Sequence, residues 1–375
     1  MIAGSHGTPP HRAVSWPRAA VSSAFRVAYA AAMADQNADA GNLQIRLASR
    51  PAGKPTAGNF TIAPAPIPSP GDGQLLIRTQ YLSLDPYMRG RMSDAPSYAP
   101  PVRVGGLMVG GTVGEVVESR DPAFAPGDIV TAYTGWQKYG VEHAATVRKL
   151  DPGQAPVTAA LGVLGMPGFT GYAGLTQIGR PKPGETVVVA AATGPVGATV
   201  GQLSKILGAR AVGIAGGPEK VAYLRELGLD AAIDHRAPDF AAQLAAATPD
   251  GIDVYFENVG GHVWDAVFPR LNSFARVPVC GLIAHYNATE LPPGPDRCVA
   301  LMSAILRKSL TVRGFIVTEF YASLLGEFLQ RATPWVQDGS LKYKEDIVDG
   351  LENAPEAFIG MLEGKNFGKL LVRVS

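Results

Sequence analysis

The fold is constrained most by an uninterrupted apolar run at residues 186–191, which is followed at once by a glycine-rich bend and a helical pattern at residues 196–207. A strand that is apolar at every position must be covered on both faces, as strands inside a parallel sheet are. Strand and helix patterns then alternate, with strands predicted at residues 210–215, 231–233, 252–256, 275–280 and 310–317 and helices at residues 219–227, 239–247 and 262–271. This alternation predicts right-handed crossovers and an α/β fold with an open, doubly wound parallel sheet.

The residues before this region have a different pattern. Short apolar runs at residues 74–79, 110–117 and 128–133 are separated by turn residues such as Pro126 and Gly127. Strands at this spacing predict a small, mostly-β domain. The last strand-like segment, residues 369–374, is predicted to return to that domain.

Composition and charge limit the classes of partner. The length of 375 residues favours two domains, and 46% apolar residues against 17% charged residues supply a sizeable core. The formal net charge is +1 without a sustained basic run, which argues against nucleic-acid and membrane-surface partners. The longest uncharged stretch, residues 152–179, holds seven glycines and three prolines, so it is predicted to form buried loops and helix starts and not a membrane span. Because Cys280 and Cys298 are the two cysteines, a disulfide framework is excluded and a reducing, cytoplasmic location is expected.

The first residues differ in composition from the rest of the chain. Residues 1–32 contain three arginines and no acidic residue, a composition found in targeting leaders. The interpretation that we favour is an extension over residues 1–38 that is disordered or not native, with Met33 as the working start. Without residues 1–32 the net charge becomes 30 − 32 = −2.

The bend after the apolar run reads Ala192-x-Gly194-x-x-Gly197, which matches the dinucleotide-binding fingerprint with alanine in its first position. Small residues are needed there because the chain turns sharply out of the strand and its backbone approaches a pyrophosphate closely. The helix that follows presents free N–H groups and the positive end of its dipole to the phosphates. The alternative is a plain tight turn between a strand and a helix.

The residues after the second strand indicate which dinucleotide is bound. An enzyme that uses NAD usually has an acidic residue there, which binds the ribose 2′-hydroxyl. This chain has Gly216 and Gly217 instead, and Lys220 follows them. Two glycines leave room for a 2′-phosphate and the lysine neutralises it, so NADPH/NADP+ is the predicted cofactor. The alternative for Lys220 is an ordinary solvated lysine at the start of a helix.

No metal site or protein nucleophile is predicted. The six histidines include no pair at i, i+4 spacing, and neither cysteine has a partner at zinc spacing. No G-x-S-x-G motif is present. The hard chemistry is therefore assigned to the cofactor. Residues 258–261 and 280–286 follow two predicted strands, at the edge where open α/β sheets bind ligands, although asparagine and glycine also occur there simply to make turns.

Several ordered motifs together resemble the zinc-independent medium-chain dehydrogenase/reductase family, a group that includes leukotriene B4 dehydrogenase/prostaglandin reductase and plant double-bond reductases. The resemblance extends from about Leu47 to the C-terminus, and a second set of motifs is most similar to the bacterial NADPH-dependent curcumin reductases within the family. The first set is residues 81–92, 165–170, 191–197, 257–261 and 366–369, and the second is residues 93–94, 286–297 and 350–355.

The resemblance implies two domains and a homodimer. A GroES-like, mostly-β catalytic domain would comprise residues 39–153 and 341–375, and a Rossmann domain with a doubly wound parallel sheet would comprise residues 154–340.

The resemblance also implies which residues bind the cofactor. The pyrophosphate loop would be Gly194, Pro195, Val196 and Gly197, and Lys220 would hold the 2′-phosphate. His235 would lie beside that phosphate, where the family usually has tyrosine. The remaining residues implied to line the cofactor track are Asn258, Cys280, Gly281, Ile283, Tyr286, Phe315, Ile316, Val317 and Asn366.

The implied reaction is the NADPH-dependent reduction of the C=C bond of α,β-unsaturated ketones and aldehydes, without a metal. Hydride goes to the β-carbon and charge develops on the carbonyl oxygen, so the site needs a positioned donor near that oxygen. Tyr286 is the candidate catalytic residue, and Tyr87 and Tyr286 are predicted to shape the substrate pocket. The alternative for Tyr286 is an aromatic ring that only packs against nicotinamide or substrate.

Two other functions stay open at this point. The first is a non-catalytic NADPH-binding sensor or structural protein, which would bind NADPH and consume none. The second, an alcohol dehydrogenase that uses zinc, is disfavoured because the thiolate ligands are missing.

Overall fold

The computed structural model of the protein describes residues 41–290, 292 and 294–375. The predicted extension over residues 1–38 lies outside the described residues. In the part of the chain that is described, no helix has the length and apolar character needed to cross a membrane.

The strands fall into two large sheets and one hairpin. Their bounds are β1 (Asn42–Leu47), β2 (Phe60–Ala65), β3 (Gln74–Ser83), β4 (Thr112–Ser119), β5 (Ile129–Ala132), β6 (Tyr139–His143), β7 (Arg148–Lys149), β8 (Thr186–Val189), β9 (Arg210–Ala215), β10 (Ala231–Asp234), β11 (Ile252–Phe256), β12 (Leu271–Val279), β13 (Thr311–Gly314), β14 (Glu345–Asp349) and β15 (Lys369–Arg373).

The α-helices of the described residues are mostly short. Their bounds are α1 (Met88–Arg91), α2 (Met166–Ala173), α3 (Pro195–Ile206), α4 (Pro218–Glu226), α5 (Phe240–Ala247), α6 (Gly261–Val267), α7 (Cys298–Lys308), α8 (Tyr321–Gln337) and α9 (Ala354–Leu362).

The second half of the chain forms a six-stranded parallel sheet in the order β10-β9-β8-β11-β12-β13. All four residues of β8 are buried because apolar clusters cover both faces of the sheet, one around Phe169 and Phe328 and the other around Phe240 and Tyr255. The strand order reverses between β8 and β11. Open α/β sheets bind ligands at such a switch point, outside the carboxyl ends of the strands. The predicted doubly wound parallel sheet is confirmed.

The other large sheet is built from both parts of the chain around the long strand β3. β4 and β6, from the N-terminal part of the chain, pair with β3. β15, from the C-terminal part, pairs antiparallel with the end of β3, with Leu371 opposite Ser83. β1 and β2 form a separate antiparallel hairpin. The predicted mostly-β domain is confirmed. Sheet membership supports our proposal that residues 39–153 with 341–375 form one domain and residues 154–340 the other.

Two predicted elements end earlier than the sequence pattern indicated. The helix predicted over residues 262–271 is wrong in its last part, because α6 ends at Val267 and β12 already begins at Leu271. The strand predicted over residues 310–317 ends at Gly314, and a 3₁₀ turn follows at Val317–Phe320.

Candidate active site

The glycine-rich bend is formed by close backbone packing between β8 and α3. Ala191 has φ 50°, and Gly194 caps α3 with Pro195 at its first position. A Cβ on Gly197 would lie 2.4 Å from the carbonyl oxygen of Ala191 and 2.7 Å from the Cα of Ala192. Position 197 therefore tolerates no side chain. This packing places the first turn of α3, whose N–H groups lack intrahelical acceptors, at the carboxyl edge of the sheet.

A second bare stretch of backbone follows β9. Gly216 lies beneath two basic side chains, since a Cβ there would lie 2.8 Å from Nε of Arg236 and 2.8 Å from Nε2 of His235. Gly217 has φ 95°, and its N–H donates to Oδ1 of Asp234 at 2.9 Å. The N–H of Arg236 donates to the same oxygen at 2.9 Å. Asp234 thus holds the ends of β9 and β10 together.

Lys220 and Arg236 form a pair of cations beside these glycines. Nζ of Lys220 donates to the carbonyl oxygen of Gly364 at 2.8 Å. Burial lowers the pKa of Lys220, and the charge of Arg236 lowers it further. Two like charges in a half-buried place repel each other, and a bound phosphate would relieve that repulsion. Arg236 was not predicted from the sequence, although the available signal is a basic residue two positions after β10, the strand that neighbours β9.

His235 is paired with a second histidine at the same edge. Its Nδ1 lies 3.1 Å from Nε2 of His262, which is the second residue of α6. Burial lowers the pKa of His235, and the neighbouring His262 and Arg236 lower it further. His235 is consequently neutral near pH 7 in this structure.

Asn258 and Glu257 organise the switch point after β11. Nδ2 of Asn258 donates to the carbonyl oxygen of Ala190 at 2.8 Å, which ties β11 to β8. Oε1 of Glu257 accepts the N–H groups of Val259 at 2.7 Å and Gly260 at 2.9 Å. Burial raises the pKa of Glu257. These contacts fix the shape of the loop after β11 and hold it against the end of β8.

The segment after β12 carries Cys280, Gly281, Ile283 and Tyr286. The N–H of Ile283 donates to the carbonyl oxygen of Asn258 at 3.2 Å, so this segment lies against the loop after β11. Burial raises the pKa of Cys280 to about 12, which keeps its thiol protonated. A Cβ on Gly281 would lie 2.9 Å from the hydroxyl oxygen of Tyr286, so the phenol folds back over this glycine. Burial raises the pKa of Tyr286, and the group remains a hydrogen-bond donor at neutral pH.

Tyr87 lies in an aromatic cluster on the mostly-β domain. Its hydroxyl is 2.7 Å from the hydroxyl of Tyr133. Burial, with a further contribution from the charge of Asp85, raises the pKa of Tyr87 well above its ordinary value. The guanidinium of Arg91 lies 4.5 Å from the ring centroid of Tyr98 and 5.8 Å from that of Tyr87. Tyr98 and Tyr133 were not predicted from the sequence, because their place in the cluster depends on chain folding and not on a motif.

The remaining predicted residues divide into two groups. Phe315 is buried, its N–H donates to the carbonyl oxygen of Val279 at 3.3 Å, and its ring packs at 6.2 Å from that of Phe256. Val196, Cys280 and Val317 pack against the same apolar cluster as Phe315. Ile316 donates its N–H to Glu319 at 2.8 Å, and Nδ2 of Asn366 donates to the carbonyl oxygen of Gly368 at 2.8 Å. Ile316 and Asn366 are thus bonded within their own segments, and the structure gives no direct contact between either of them and the bend.

The donor groups at this edge fit a phosphorylated dinucleotide. Gly197 lets α3 pack closely against the end of β8, which places the free N–H groups of its first turn at this edge, and Gly216 has no side chain of its own. Lys220 and Arg236 supply positive charge at the end of β9. Over residues 41–290, 292 and 294–375, no group of three or more histidine, cysteine or acidic side chains is arranged to hold a metal ion. Fold and site together define a nicotinamide-dependent oxidoreductase.

Comparisons with known proteins agree with this class. Residues 43–150 match the family model described as the N-terminal domain of oxidoreductase, and residues 195–333 match the model described as zinc-binding dehydrogenase. The NADPH-dependent curcumin reductase of Escherichia coli (strain K12) is 57% identical over 330 residues, which cover 88% of this chain and 96% of that protein. Prostaglandin reductase 1 of Rattus norvegicus is 40% identical over 326 residues, which cover 86% of this chain and 95% of that protein. The chain therefore belongs to the zinc-independent medium-chain dehydrogenase/reductase family.

A solved structure supports the same assignment. CurA from Vibrio vulnificus, determined in complex with NADPH, is 54% identical and superposes with a TM-score of 0.86, covering 89% of this chain and 99% of that chain. A 2-alkenal reductase (NADP(+)-dependent) of Nicotiana tabacum is 40% identical over 309 residues, which cover 81% of this chain and 88% of that protein.

Proposed function

We propose that this protein reduces the C=C bond of α,β-unsaturated ketones and aldehydes with NADPH as the reductant. The observation that carries the proposal is the pairing of a side-chain-free bend at Gly197 with two cations, Lys220 and Arg236, at the end of the neighbouring strand. Relatives named as an NADPH-dependent curcumin reductase, a prostaglandin reductase and an NADP-dependent 2-alkenal reductase support it.

The residues of the chain would bind and orient the coenzyme. The first turn of α3 would hold the pyrophosphate, and Lys220, Arg236 and His235 would hold the 2′-phosphate. The residues proposed to line the rest of the coenzyme-binding site are Asn258, Cys280, Gly281, Ile283, Tyr286, Phe315, Ile316, Val317 and Asn366. When bound, NADPH supplies the hydride that adds to the β-carbon of the substrate.

Tyr286 is the proposed hydrogen-bond donor to the carbonyl oxygen of the substrate. Its burial keeps the phenol protonated, which a donor to a developing oxyanion must be. Tyr87 and its partner Tyr133 would form a wall of the substrate pocket, with Tyr98 beside them. Flat, apolar enones suit walls of this kind, so curcumin-like diarylheptanoids and lipid-derived alkenals are the proposed substrates.

A screen of coenzyme oxidation tests the proposal. Oxidation of NADPH and of NADH is followed by absorbance with enones, enals and saturated aldehydes in parallel. We expect NADPH to be consumed with enones and enals and not with saturated aldehydes. NADPH binding without consumption would favour a sensor or structural protein, and turnover of saturated aldehydes would favour an alcohol dehydrogenase.

The variant Tyr286→Phe tests the role of the phenol. Loss of one oxyanion donor lowers kcat by roughly 10²-fold, with little change in the affinity for NADPH. Unchanged turnover with an unchanged KM for the enone would leave Tyr286 only a packing role.

We propose that the protein is a homodimer in the cytoplasm. β13 is one of the two edge strands of the parallel sheet, and α7, which precedes it in the chain, exposes 76% of Val299, 58% of Met302 and 81% of Leu306. These three positions share one helix face, and an unpaired edge next to an apolar helix face is suited to pairing with a second copy. The test is light scattering during gel filtration, where Leu306→Glu should convert a dimer into a monomer.

A further inference from the structure

Arg89 reaches across from the mostly-β domain to the segment that carries Tyr286. It lies in α1, two residues after Tyr87, and only 6% of it is exposed. Its Nε donates to Oδ1 of Asn287 at 3.1 Å, and its Nη2 donates to the carbonyl oxygen of Gly53 at 2.7 Å. Asn287 directly follows Tyr286. One guanidinium thus joins the element of the pocket tyrosine to the loop of the proposed donor.

The burial of Arg89 indicates that this contact does more than fill space. Burial lowers the pKa of Arg89. Among the described residues, no carboxylate forms an ion pair with it, and its hydrogen bonds go to two neutral acceptors. A buried cation is costly unless hydrogen bonds compensate for the lost water. An apolar side chain would fill the same volume at lower cost, so the bonds to Asn287 and Gly53 are what the arginine contributes.

The neighbouring Arg91 provides a contrast on the same helix. It is also 6% exposed, but its Nη1 donates to the carbonyl oxygen of Ala99 at 2.9 Å and its guanidinium stacks on Tyr98. The hydrogen bonds and ring contacts of its guanidinium stay within residues 87–99. In α1, Arg89 makes the bond to the loop after β12.

Tyr286 lies between two anchors of that loop. On the parallel-sheet side, the N–H of Ile283 donates to the carbonyl oxygen of Asn258 at 3.2 Å, and the N–H of Ala284 donates to that of Val259 at 3.0 Å. On the other side, the anchor is the bond from Arg89 to Asn287. Removing this bond leaves the segment that carries Tyr286 anchored from one side only.

We propose that Arg89, acting through Asn287, is a positioning residue that fixes Tyr286 relative to Tyr87 and so sets the geometry of hydride acceptance by the enone. This inference rests on the proposed function. A displacement of about 1 Å in a catalytic group lowers the rate by up to about 10²-fold. Loss of the bond should therefore lower kcat.

The test compares Arg89→Met, Asn287→Ala and the double variant, with Arg50→Met as the matched control. Arg50 donates to the carbonyl oxygen of Met92 at 3.1 Å and pairs with Asp94 at 3.3 Å, so its loss removes an arginine beside α1 without removing the bond to Asn287. We expect each single variant to lower kcat with an enone about tenfold, with NADPH affinity within about twofold of the parent, and the double variant to be no worse than Arg89→Met. Arg50→Met should match the parent. Independent, additive losses would overturn the inference.

A conservative variant separates positioning from general damage. Asn287→Asp keeps an acceptor oxygen for Arg89 and should retain most of the activity. When it is added to Arg89→Met, it should restore none of the activity that Arg89→Met has lost. Equal activity of Asn287→Ala and Asn287→Asp would contradict the proposed bond.

Hydrogen exchange supplies a readout that does not depend on catalysis. The amides of residues 285–288 should exchange faster in Arg89→Met and Asn287→Ala than in Arg50→Met, while those of β8 and β11 should not. Unchanged exchange in this segment would reject the anchor even if the parent enzyme reduces enones. Conversely, if none of the enones tested causes the parent protein to oxidise NADPH, the proposed function is rejected. Faster exchange in the variants would still support the anchor in that case.

Discussion

Nζ of Lys369 lies 2.7 Å from Oδ1 of Asp85, and the two side chains are 2% and 7% exposed. Nζ of Lys369 also donates to the carbonyl oxygen of Leu84 at 2.8 Å, and the hydroxyl of Ser83 donates to Asp85. The ion pair fastens β15 to the turn that leads from β3 into Tyr87. Burial lowers the pKa of Lys369, and the charge of Asp85 opposes that effect.

Loss of one partner of this pair should be strongly destabilising. Lys369→Met leaves Asp85 buried without a counter-charge, which costs about 3–5 kcal/mol of unfolding free energy. Urea unfolding followed by fluorescence measures the loss. The double variant Lys369→Met/Asp85→Asn serves as the control and should recover much of the stability. If Lys369→Met unfolds at the same urea concentration as the parent, the pair contributes little.

Gly197→Ala should abolish tight binding of NADPH. The added Cβ would lie 2.4 Å from the carbonyl oxygen of Ala191, so the bend must open, at a cost of about 1–3 kcal/mol and with loss of the phosphate-binding geometry. Gly326→Ala is the control, because Gly326 lies in α8 outside the bend and a Cβ there would meet no atom within 4 Å. Fluorescence titration with NADPH should therefore show a loss of at least about tenfold for Gly197→Ala and no loss for Gly326→Ala. Equal effects of the two changes would contradict the role given to the bend.

Arg236→Ala and Lys220→Ala should each weaken NADPH binding by about 10- to 100-fold, because a hydrogen bond to a charged group contributes about 1.5–3 kcal/mol. Binding of NADH, which lacks the 2′-phosphate, should change by less than about twofold. Arg225→Ala, an exposed arginine on α4, is the control for loss of positive charge. Isothermal titration with both coenzymes measures the selectivity. A parallel loss for NADH would show that the two cations do not select the phosphate.

The affinity for NADPH should depend on pH, because His235 takes up a proton when the coenzyme binds. The pKa of His235 lies below its ordinary value, because of burial first and then of His262 and Arg236. The ring is thus neutral at pH 7 and takes up a proton when a phosphate dianion binds. NADPH affinity should therefore rise as pH falls from about 7 to about 5.5, and this rise should be steeper than in His235→Phe, which keeps a ring without the titrating group. If the parent and His235→Phe show the same pH dependence of NADPH affinity, His235 is not the group that takes up the proton.

The strands of the parallel sheet were predictable because burial on both faces leaves a continuous apolar run. The predicted bounds 210–215 and 252–256 coincide with β9 and β11. Helix α7 was missed for the opposite reason. Its apolar residues Val299, Met302 and Leu306 point to solvent, so its pattern does not report on the core of this chain. The helix α8 was also missed, and Pro334 within it interrupts the helical pattern.

The site was predictable where a local motif carries the chemistry. Gly194 and Gly197 follow from the strand, bend and helix that surround them, and Lys220 follows from the missing acidic residue after β9. Arg89 could not be predicted, because its partner Asn287 is 198 positions away in the sequence and the contact exists only in the folded chain. The aromatic cluster of Tyr87 and Tyr133 has the same origin, since folding brings together residues 46 positions apart.

The pairing of β15 with the end of β3 has a consequence for biosynthesis. All strands of the parallel sheet lie within residues 186–314, so a nascent chain has them available before residues 369–373 leave the ribosome. Until then the second half of β3 offers an open edge, and Asp85 lacks its ammonium partner. A chain interrupted between these two points would contain the whole coenzyme-binding sheet, yet it would carry an unfinished and aggregation-prone catalytic sheet.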